Sequence, residues 1–100
     1  MSGFYDQKPW LTTYPDWLPQ TFELPDRSIL DMFAASVENY PHDPCVCYFD
    51  AVYSYGEIHR MARNLAKVLS EKEIGRGDRV LLVMQNIPQA VVTALAVWMC

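Results

Sequence analysis

The stretch Val52–Leu69 reads V-Y-S-Y-G-E-I-H-R-M-A-R-N-L-A-K-V-L, and it organises the rest of the chain. Its first three residues have the β-branched and aromatic character of a short strand, and the apolar spacing then changes to that of a helix. Ser54 and Glu57 form an S-x-x-E capping box, in which each side chain satisfies a backbone N–H group of the first turn. A continuous apolar stripe follows, made by Ile58, Met61, Ala62, Leu65 and Leu69. The helix is therefore predicted to bury one face.

Length and composition indicate one small globular domain. The 100 residues are 51% hydrophobic and 20% charged, which is typical of a folded chain. The net charge of -4 argues against nucleic acid as a partner, because phosphate binding requires clustered Lys and Arg. The first ten residues show no secretory signal, and no apolar run has the about 20 residues of a transmembrane helix. We therefore predict a cytoplasmic protein with three free thiols, peripheral membrane association being the alternative location.

Residues 1–25 are predicted to form an arm that is distinct from residues 26–100. Four prolines restrict the arm to extended and turn geometry. Its large apolar side chains are costly to leave in water, so we expect the arm to lie across a surface, either of its own domain or of a partner. Exchange of the arm between two copies is one route to a homodimer. The side chains concerned are Phe4, Tyr5, Trp10, Leu11, Tyr14, Trp17, Leu18 and Phe22.

Two helices and a hairpin are predicted between residues 26 and 75. The first helix begins at Asp26 or Ser28 and ends near Asn39, before Pro41. Its expected buried stripe is Leu30, Phe33, Val37 and Tyr40. The apolar run Cys45–Phe49 and the strand that begins at Val52 are close enough in sequence to pair as a hairpin. The capped helix then runs from Tyr55 to about Glu73 and is stopped at the G-R-G-D turn.

The last quarter of the chain is predicted to be a strand and a helix, both buried. Arg79–Met84 has the continuous apolar character of a parallel strand covered on both faces. Asn86 is the expected cap of the final helix, with Pro88 in its first turn, and Ala90–Cys100 is apolar on nearly all sides. No stop signal follows, so we expect a truncated N-terminal subdomain. The order α-β-β-α-β-α predicts an α/β fold, with a small mixed sheet flanked by helices.

Several residues could carry chemistry, and a structural interpretation is favoured for each. Cys45 and Cys47, two apart on one strand face, lack the further ligands of a metal site and are predicted to be small core residues. His42 in a loop and His59 off the apolar stripe are predicted to be surface residues rather than bases. We expect Gly75-x-Gly77 to form a turn, because a phosphate cradle has its glycines between a strand and a helix.

A row of cations lies along one side of the capped helix. Arg60, Arg63 and Lys67 follow one another at helical spacing. Contact with anionic headgroups or a partner is one interpretation. A solvated face, balanced by acidic residues at the end of the helix, is the favoured one.

Taken in order, several segments resemble the N-terminal part of the AMP-forming acyl-CoA synthetases of the adenylate-forming superfamily. The run Val52–Ile58 looks like the first core motif, L-T-Y-x-E-L, and residues 77–80 and 85–89 are similar to the family's G-D-R-V and N-x-P-[EQ] segments. Ala94–Cys100 looks like the lead-in to the second core motif. The arm, with K-P-W-L at residues 8–11 followed by Y-P and a further proline, resembles the opening of long-chain fatty acid–CoA ligases.

The resemblance implies a function for the whole protein rather than for this stretch. A carboxylic acid would attack the α-phosphate of ATP, with Mg²⁺, to give an acyl-adenylate and pyrophosphate, and the thiol of coenzyme A would then displace AMP. No catalytic, cofactor-binding or metal-binding residue of the family falls on residues 1–100. The chain is expected to be inactive alone, and its partner is the remainder of the adenylation domain. A non-catalytic interaction module, and a ligase for aryl or medium-chain acids, remain open alternatives.

Overall fold

The structure, a computed structural model, describes residues 3–100. A short 3₁₀ helix is followed by two helices, between which lies a hairpin, and by a final helix. Their bounds are Pro9–Thr13 for the 3₁₀ helix, Ile29–Asn39 for α1, Pro44–Tyr48 for β1, Ala51–Ser54 for β2, Tyr55–Glu71 for α2 and Pro88–Met99 for α3. The α/β class is confirmed, and the order of the regular elements is α-β-β-α-α.

Both α1 and α2 begin with the capping boxes that their sequences encode. The Ser54 hydroxyl accepts the Glu57 N–H at 3.2 Å, and the Glu57 carboxylate accepts the Ser54 N–H at 2.8 Å. Ser28 and Asp31 make the same reciprocal pair at the start of α1, which selects Ser28 over Asp26 as the cap. Each box satisfies two backbone donors that the first helical turn leaves unpaired.

The end of α2 is formed by a left-handed residue that is not glycine. Glu73 has φ 64°, its N–H donates to Ser70 O at 3.0 Å, and the Ile74 N–H donates to Leu69 O at 3.1 Å. This pair of bonds is a Schellman motif, in which glycine is the usual left-handed residue. The helix therefore ends at Glu71, two residues before the predicted end, because the chain turns before it reaches Gly75.

The hairpin is confirmed, and it is irregular. β1 and β2 pair antiparallel, with Tyr48 opposite Ala51 and Val46 opposite Tyr53, and a bulge interrupts the register between Pro44 and Val46. A bulge inserts an extra residue and changes the direction of the neighbouring side chains. As a result Cys45 packs against the core, whereas Cys47 is exposed. The prediction that both thiols lie on one buried face is therefore wrong for Cys47.

The core lies where α2 packs against α3. The predicted stripe of α2 is confirmed, with Ile58 and Ala62 both 0% exposed, and α3 contributes Val92, Leu95 and Ala96. In α1, Leu30 and Phe33 pack against this core, whereas Tyr40 is 58% exposed. Tyr40 leaves the stripe because it is the C-cap residue and has a non-helical backbone. Burial of α3 on most sides is confirmed, because most of its residues are buried or half-buried, although Val91 and Trp98 are 40% and 53% exposed.

The predicted strand Arg79–Met84 is not formed among residues 3–100. The sheet described there contains only β1 and β2, so it is antiparallel rather than mixed. Residues 79–84 are exposed and carry no ladder hydrogen bonds. A β-strand is stabilised by backbone hydrogen bonds to a neighbouring strand, and within the described chain this segment has no such neighbour.

The predicted cap of α3 is also wrong. Ile87, not Asn86, is the N-cap residue, and no side chain caps the helix. Proline disfavours helical backbone in the residue before it, so Pro88 holds Ile87 extended and fixes the start of the helix one residue later than expected.

The arm is described from residue 3 onward, and residues 1 and 2 lie outside the described part. None of its described residues is buried, and Phe4, Trp17 and Phe22 are 68%, 80% and 81% exposed. The expectation that the arm packs on its own domain is wrong, because its aromatic rings contact one another instead, as Tyr5 and Trp10 do at 6.1 Å between ring centroids. A partner for the arm stays a prediction.

Candidate functional site

The best-defined local site is the junction between the loop after α1 and the first turn of α2. The Gly56 N–H donates to Pro41 O at 2.9 Å, and the Tyr55 N–H donates to Asp43 O at 3.1 Å. A Cβ atom on Gly56 would lie 3.0 Å from the same Pro41 oxygen. Glycine therefore permits the close approach of the two backbones, and a larger residue would require the loop to move. The sequence signal for this contact is a glycine in the first turn of a helix, where alanine would otherwise be preferred.

The two capping carboxylates are held as structural acceptors. The backbone N–H of Ser54, followed by its hydroxyl, lowers the pKa of the Glu57 carboxyl below its usual range. The hydroxyl of Ser28, followed by its backbone N–H, lowers the pKa of Asp31 in the same way. Hydrogen bonds to the ionised form favour that form. Neither group is therefore suited to donate a proton near neutral pH.

A groove of about 440 Å³ lies against α1, α2 and the end of α3. His59 is half-buried there, with its ring 6.2 Å from that of Phe33 between centroids, so the prediction that it is a surface residue is only partly met. Arg63 adds a guanidinium to the groove, and the Asp31 carboxylate is already bonded to Ser28. The lining is Leu30, Asp31, Phe33, Ala34, His59, Arg63, Ala66 and Met99.

The groove does not assemble a reaction centre from residues 3–100. Nucleophilic catalysis requires a hydroxyl or thiol within hydrogen-bond reach of a base, and no such group lines the groove beside His59. His42, the second histidine, is exposed on the loop before β1. Sequence reasoning did not predict the groove, because it depends on the packing of α1 against α2, which no local pattern specifies.

The remaining candidate residues also have structural surroundings. Partial burial raises the pKa of the Cys45 thiol, which disfavours the thiolate that would bind a metal or attack a substrate. The Gly75 N–H is bonded to the Asp78 carboxylate at 2.9 Å, and Gly77 has φ 93°, so the predicted turn is confirmed. The cations of α2 at residues 60, 63 and 67 are all exposed, as a solvated face requires.

Two absences concern the described chain alone. Between residues 3 and 100, no three His, Cys, Asp or Glu side chains are grouped so that they could hold a metal ion. Over the same range, no helix is both long enough and apolar enough to span a bilayer.

The segments that resemble family motifs lie at the boundaries of elements. Val52–Ile58 runs from β2 through the capping box into α2, residues 77–80 leave the turn after α2, and residues 85–89 enter α3. These segments begin helices and make turns. The chain is thus an α/β unit whose distinctive residues determine where helices begin and how the chain turns.

The chain belongs to the family of AMP-binding enzymes, whose family model matches residues 33–100. This match, together with the relatives below, confirms the resemblance to the N-terminal part of the AMP-forming acyl-CoA synthetases. No solved structure gives a significant match.

The relatives include ligases and peptide synthetases. A long-chain-fatty-acid–CoA ligase of Bacillus subtilis is 29% identical over 87 residues, which are 87% of this chain and 16% of that protein. A long-chain-fatty-acid–CoA ligase of Escherichia coli is 34% identical over 86 residues, or 83% of this chain and 15% of that protein. Gramicidin S synthase 2 of Brevibacillus brevis is 28% identical over 75 residues, or 75% of this chain and 2% of that protein. The chain thus spans about one sixth of the length of the ligases it matches.

Proposed function

We propose that the chain is the N-terminal structural portion of a long-chain fatty acid–CoA ligase and is inactive alone. The observation that carries the proposal is that long-chain-fatty-acid–CoA ligases match this chain at 29% and 34% identity over 87% and 83% of its length. A match over 87 residues of a 100-residue chain begins at residue 14 or earlier, so it includes part of the arm. The proline-rich arm is the part of this chain that resembles long-chain ligases in particular.

The role of the chain in such an enzyme is to build one wall of the adenylation domain. Its family-like segments form caps, turns and the Gly56 junction with Pro41. Its carboxylates at residues 31 and 57 are occupied as helix caps. ATP, Mg²⁺ and coenzyme A would be held by the remainder of the domain, because the family motifs matched here form caps and turns and carry none of the family's ligand-binding residues.

The proposal is tested with the full-length gene product and with the 100-residue chain in parallel. Acid-dependent exchange of labelled pyrophosphate into ATP measures the first step, and thioester formation with coenzyme A measures the second. Palmitate should support both steps in the full-length protein, and the chain alone should support neither. Turnover by the chain alone would contradict the assignment of a purely structural role.

A panel of acids separates the alternatives. Activity confined to octanoate or benzoate would show that the protein is a ligase for medium-chain or aryl acids, and activity with an amino acid would place it with the peptide synthetases. If no acid supports exchange, and the protein binds a partner without nucleotide, the interaction module is correct. Lys67→Ser is the control variant, because this exposed side chain does not line the groove and its loss should leave the exchange rate unchanged.

A further inference from the structure

The groove against α1, α2 and the end of α3 combines an apolar lining with a few polar side chains. Leu30 and Phe33 of α1 and Met99 of α3 also pack against the hydrophobic core, so the fold fixes their positions. The small side chains of Ala34 and Ala66 complete the apolar lining. Pockets that bind small molecules have volumes of about 300–1,000 Å³ and a mostly apolar lining. At about 440 Å³ the groove lies within that range.

The polar side chains of the groove differ in what they can offer a ligand. His59 and Arg63 are four residues apart on α2, so they share one helix face. Asp31 comes from α1, and its carboxylate accepts the hydroxyl and the N–H of Ser28 at 2.7 and 3.0 Å. These bonds lower its pKa most, and the cation that adds to the effect is Arg27. The guanidinium of Arg63 is therefore the charge that the groove presents to a ligand.

This arrangement favours a ligand with one anionic head and one apolar chain. A guanidinium binds a carboxylate through two parallel N–H bonds, and a neutral imidazole can donate one more. The ring of Phe33 lies 6.2 Å from that of His59 between centroids, so the apolar lining begins beside the polar pair. A membrane surface fits less well, because Leu30, Phe33 and Met99 are half-buried in a groove and do not protrude from it.

We propose that this groove is a binding site for a long-chain carboxylate, with the carboxylate at Arg63 and His59 and the alkyl chain on the apolar lining. The ligand class follows from the lining, so the proposal does not require the ligase assignment. Arg63 is exposed, which limits its contribution to about fivefold in affinity. The alkyl chain supplies the rest, since a methylene group that is half covered should tighten binding about twofold.

Photoaffinity labelling of the full-length gene product tests the proposal with a readout specific for the groove. An analogue of palmitate with a diazirine in its chain is bound and irradiated, and labelled peptides are identified by mass spectrometry. Label is expected on the peptides that contain Ala34 and Met99. Unlabelled octanoate, decanoate and dodecanoate should displace it at concentrations that fall about fourfold for every two carbons. Absence of label from both peptides, or displacement that does not depend on chain length, would overturn the proposal.

Two exposed cations on α2 provide matched variants. Arg63→Ser should raise the concentration of dodecanoate that displaces the label about threefold, whereas Lys67→Ser, outside the groove, should leave it unchanged. Dodecanol has no charge, so it should displace the label equally in both variants and in the unmodified protein. Ala34→Phe, at an exposed position of α1, should fill the groove and remove the label from Met99. Equal effects of the two serine variants would refute recognition by Arg63.

A second probe tests the membrane as the occupant. Phosphatidylglycerol vesicles that carry the diazirine on an acyl chain should leave these peptides unlabelled. Label from the vesicles but not from the free acid would assign the groove to a membrane surface and refute the proposal. Pyrophosphate exchange in the same preparations separates this proposal from the proposed function. Label in the groove of a protein that activates no acid would contradict the ligase assignment alone, and an active ligase without label would contradict the groove site alone.

Discussion

Replacing Gly56 by alanine tests the close approach of α2 to the loop that precedes the hairpin. Alanine is favoured over glycine within a helix by about 1 kcal/mol. At this position the new Cβ atom would lie 3.0 Å from Pro41 O, which is closer than carbon and oxygen normally approach. The two effects oppose each other, so the sign of the change in stability depends on whether the loop can move away.

Two hydrogen bonds hold the loop in place. The Pro41 oxygen already accepts the Gly56 N–H at 2.9 Å, and the Tyr55 N–H donates to Asp43 O at 3.1 Å. Displacement of the loop would lengthen both bonds. Overpacking of this kind costs roughly 1–3 kcal/mol. We therefore expect Gly56→Ala to lower the free energy of unfolding by about 1 kcal/mol, after the gain in helix propensity is subtracted.

The assay is urea denaturation followed by far-ultraviolet circular dichroism, with Gly75→Ala as the matched control. Nothing lies within 4 Å of a Cβ atom at Gly75, and its φ is not in the left-handed region. There alanine should raise stability by about 0.4–1 kcal/mol, because it restricts the unfolded chain. The reasoning is refuted if Gly56→Ala is as stable as the unmodified protein or more stable.

Four further predictions concern the caps and the thiols. Ser54→Ala should lower the free energy of unfolding by about 1 kcal/mol at pH 7, as measured by urea denaturation. Because the folded-state pKa of Glu57 lies below its usual value of 4.5, the contribution of its charge is present above that pH and lost as the pH falls through the folded-state pKa. The advantage of the unmodified protein over Glu57→Gln should disappear over that interval, and an advantage that persists in acid would contradict it. Glu73→Gly should raise the melting temperature, because glycine relieves about 1 kcal/mol of left-handed strain at φ 64°; a lower melting temperature would count against strain at this residue. Iodoacetamide should modify Cys47 before Cys45, as read by peptide mass spectrometry, since only Cys47 is exposed; the reverse order would show that the bulge is misplaced.

The features that sequence reasoning predicted correctly are those determined by near neighbours in the chain. The capping box of Ser54 and Glu57 joins residues three apart, and the apolar stripe of α2 repeats at helical spacing. The hairpin joins two strands separated only by Phe49 and Asp50. In each case the interacting groups lie close together in sequence, so that local propensity and spacing are sufficient to specify them.

The incorrect predictions concern contacts whose partners are distant or whose geometry is irregular. The bulge near Cys45 changed which side chains face the core, and Pro88 moved the start of α3 past Asn86. The groove beside His59 depends on how α1 lies against α2. Its residues were visible in the sequence, but their proximity depends on tertiary packing, which spacing along one helix does not determine.

Few apolar side chains of the described chain are buried, and several large ones are exposed, which limits the stability that the chain can have by itself. The buried hydrophobic core of the described chain comprises five residues, Ile58, Ala62, Val92, Leu95 and Ala96, whereas Leu81, Val83 and Trp98 are among the large apolar side chains that are exposed. Ordering a residue costs roughly 1–2 kcal/mol of backbone entropy, and burial of apolar surface is the main term that offsets it. Helix caps, at about 1 kcal/mol each, cannot replace that burial. Cover over the exposed residues 79–84 and the outer side of α3 would therefore contribute stability to this chain.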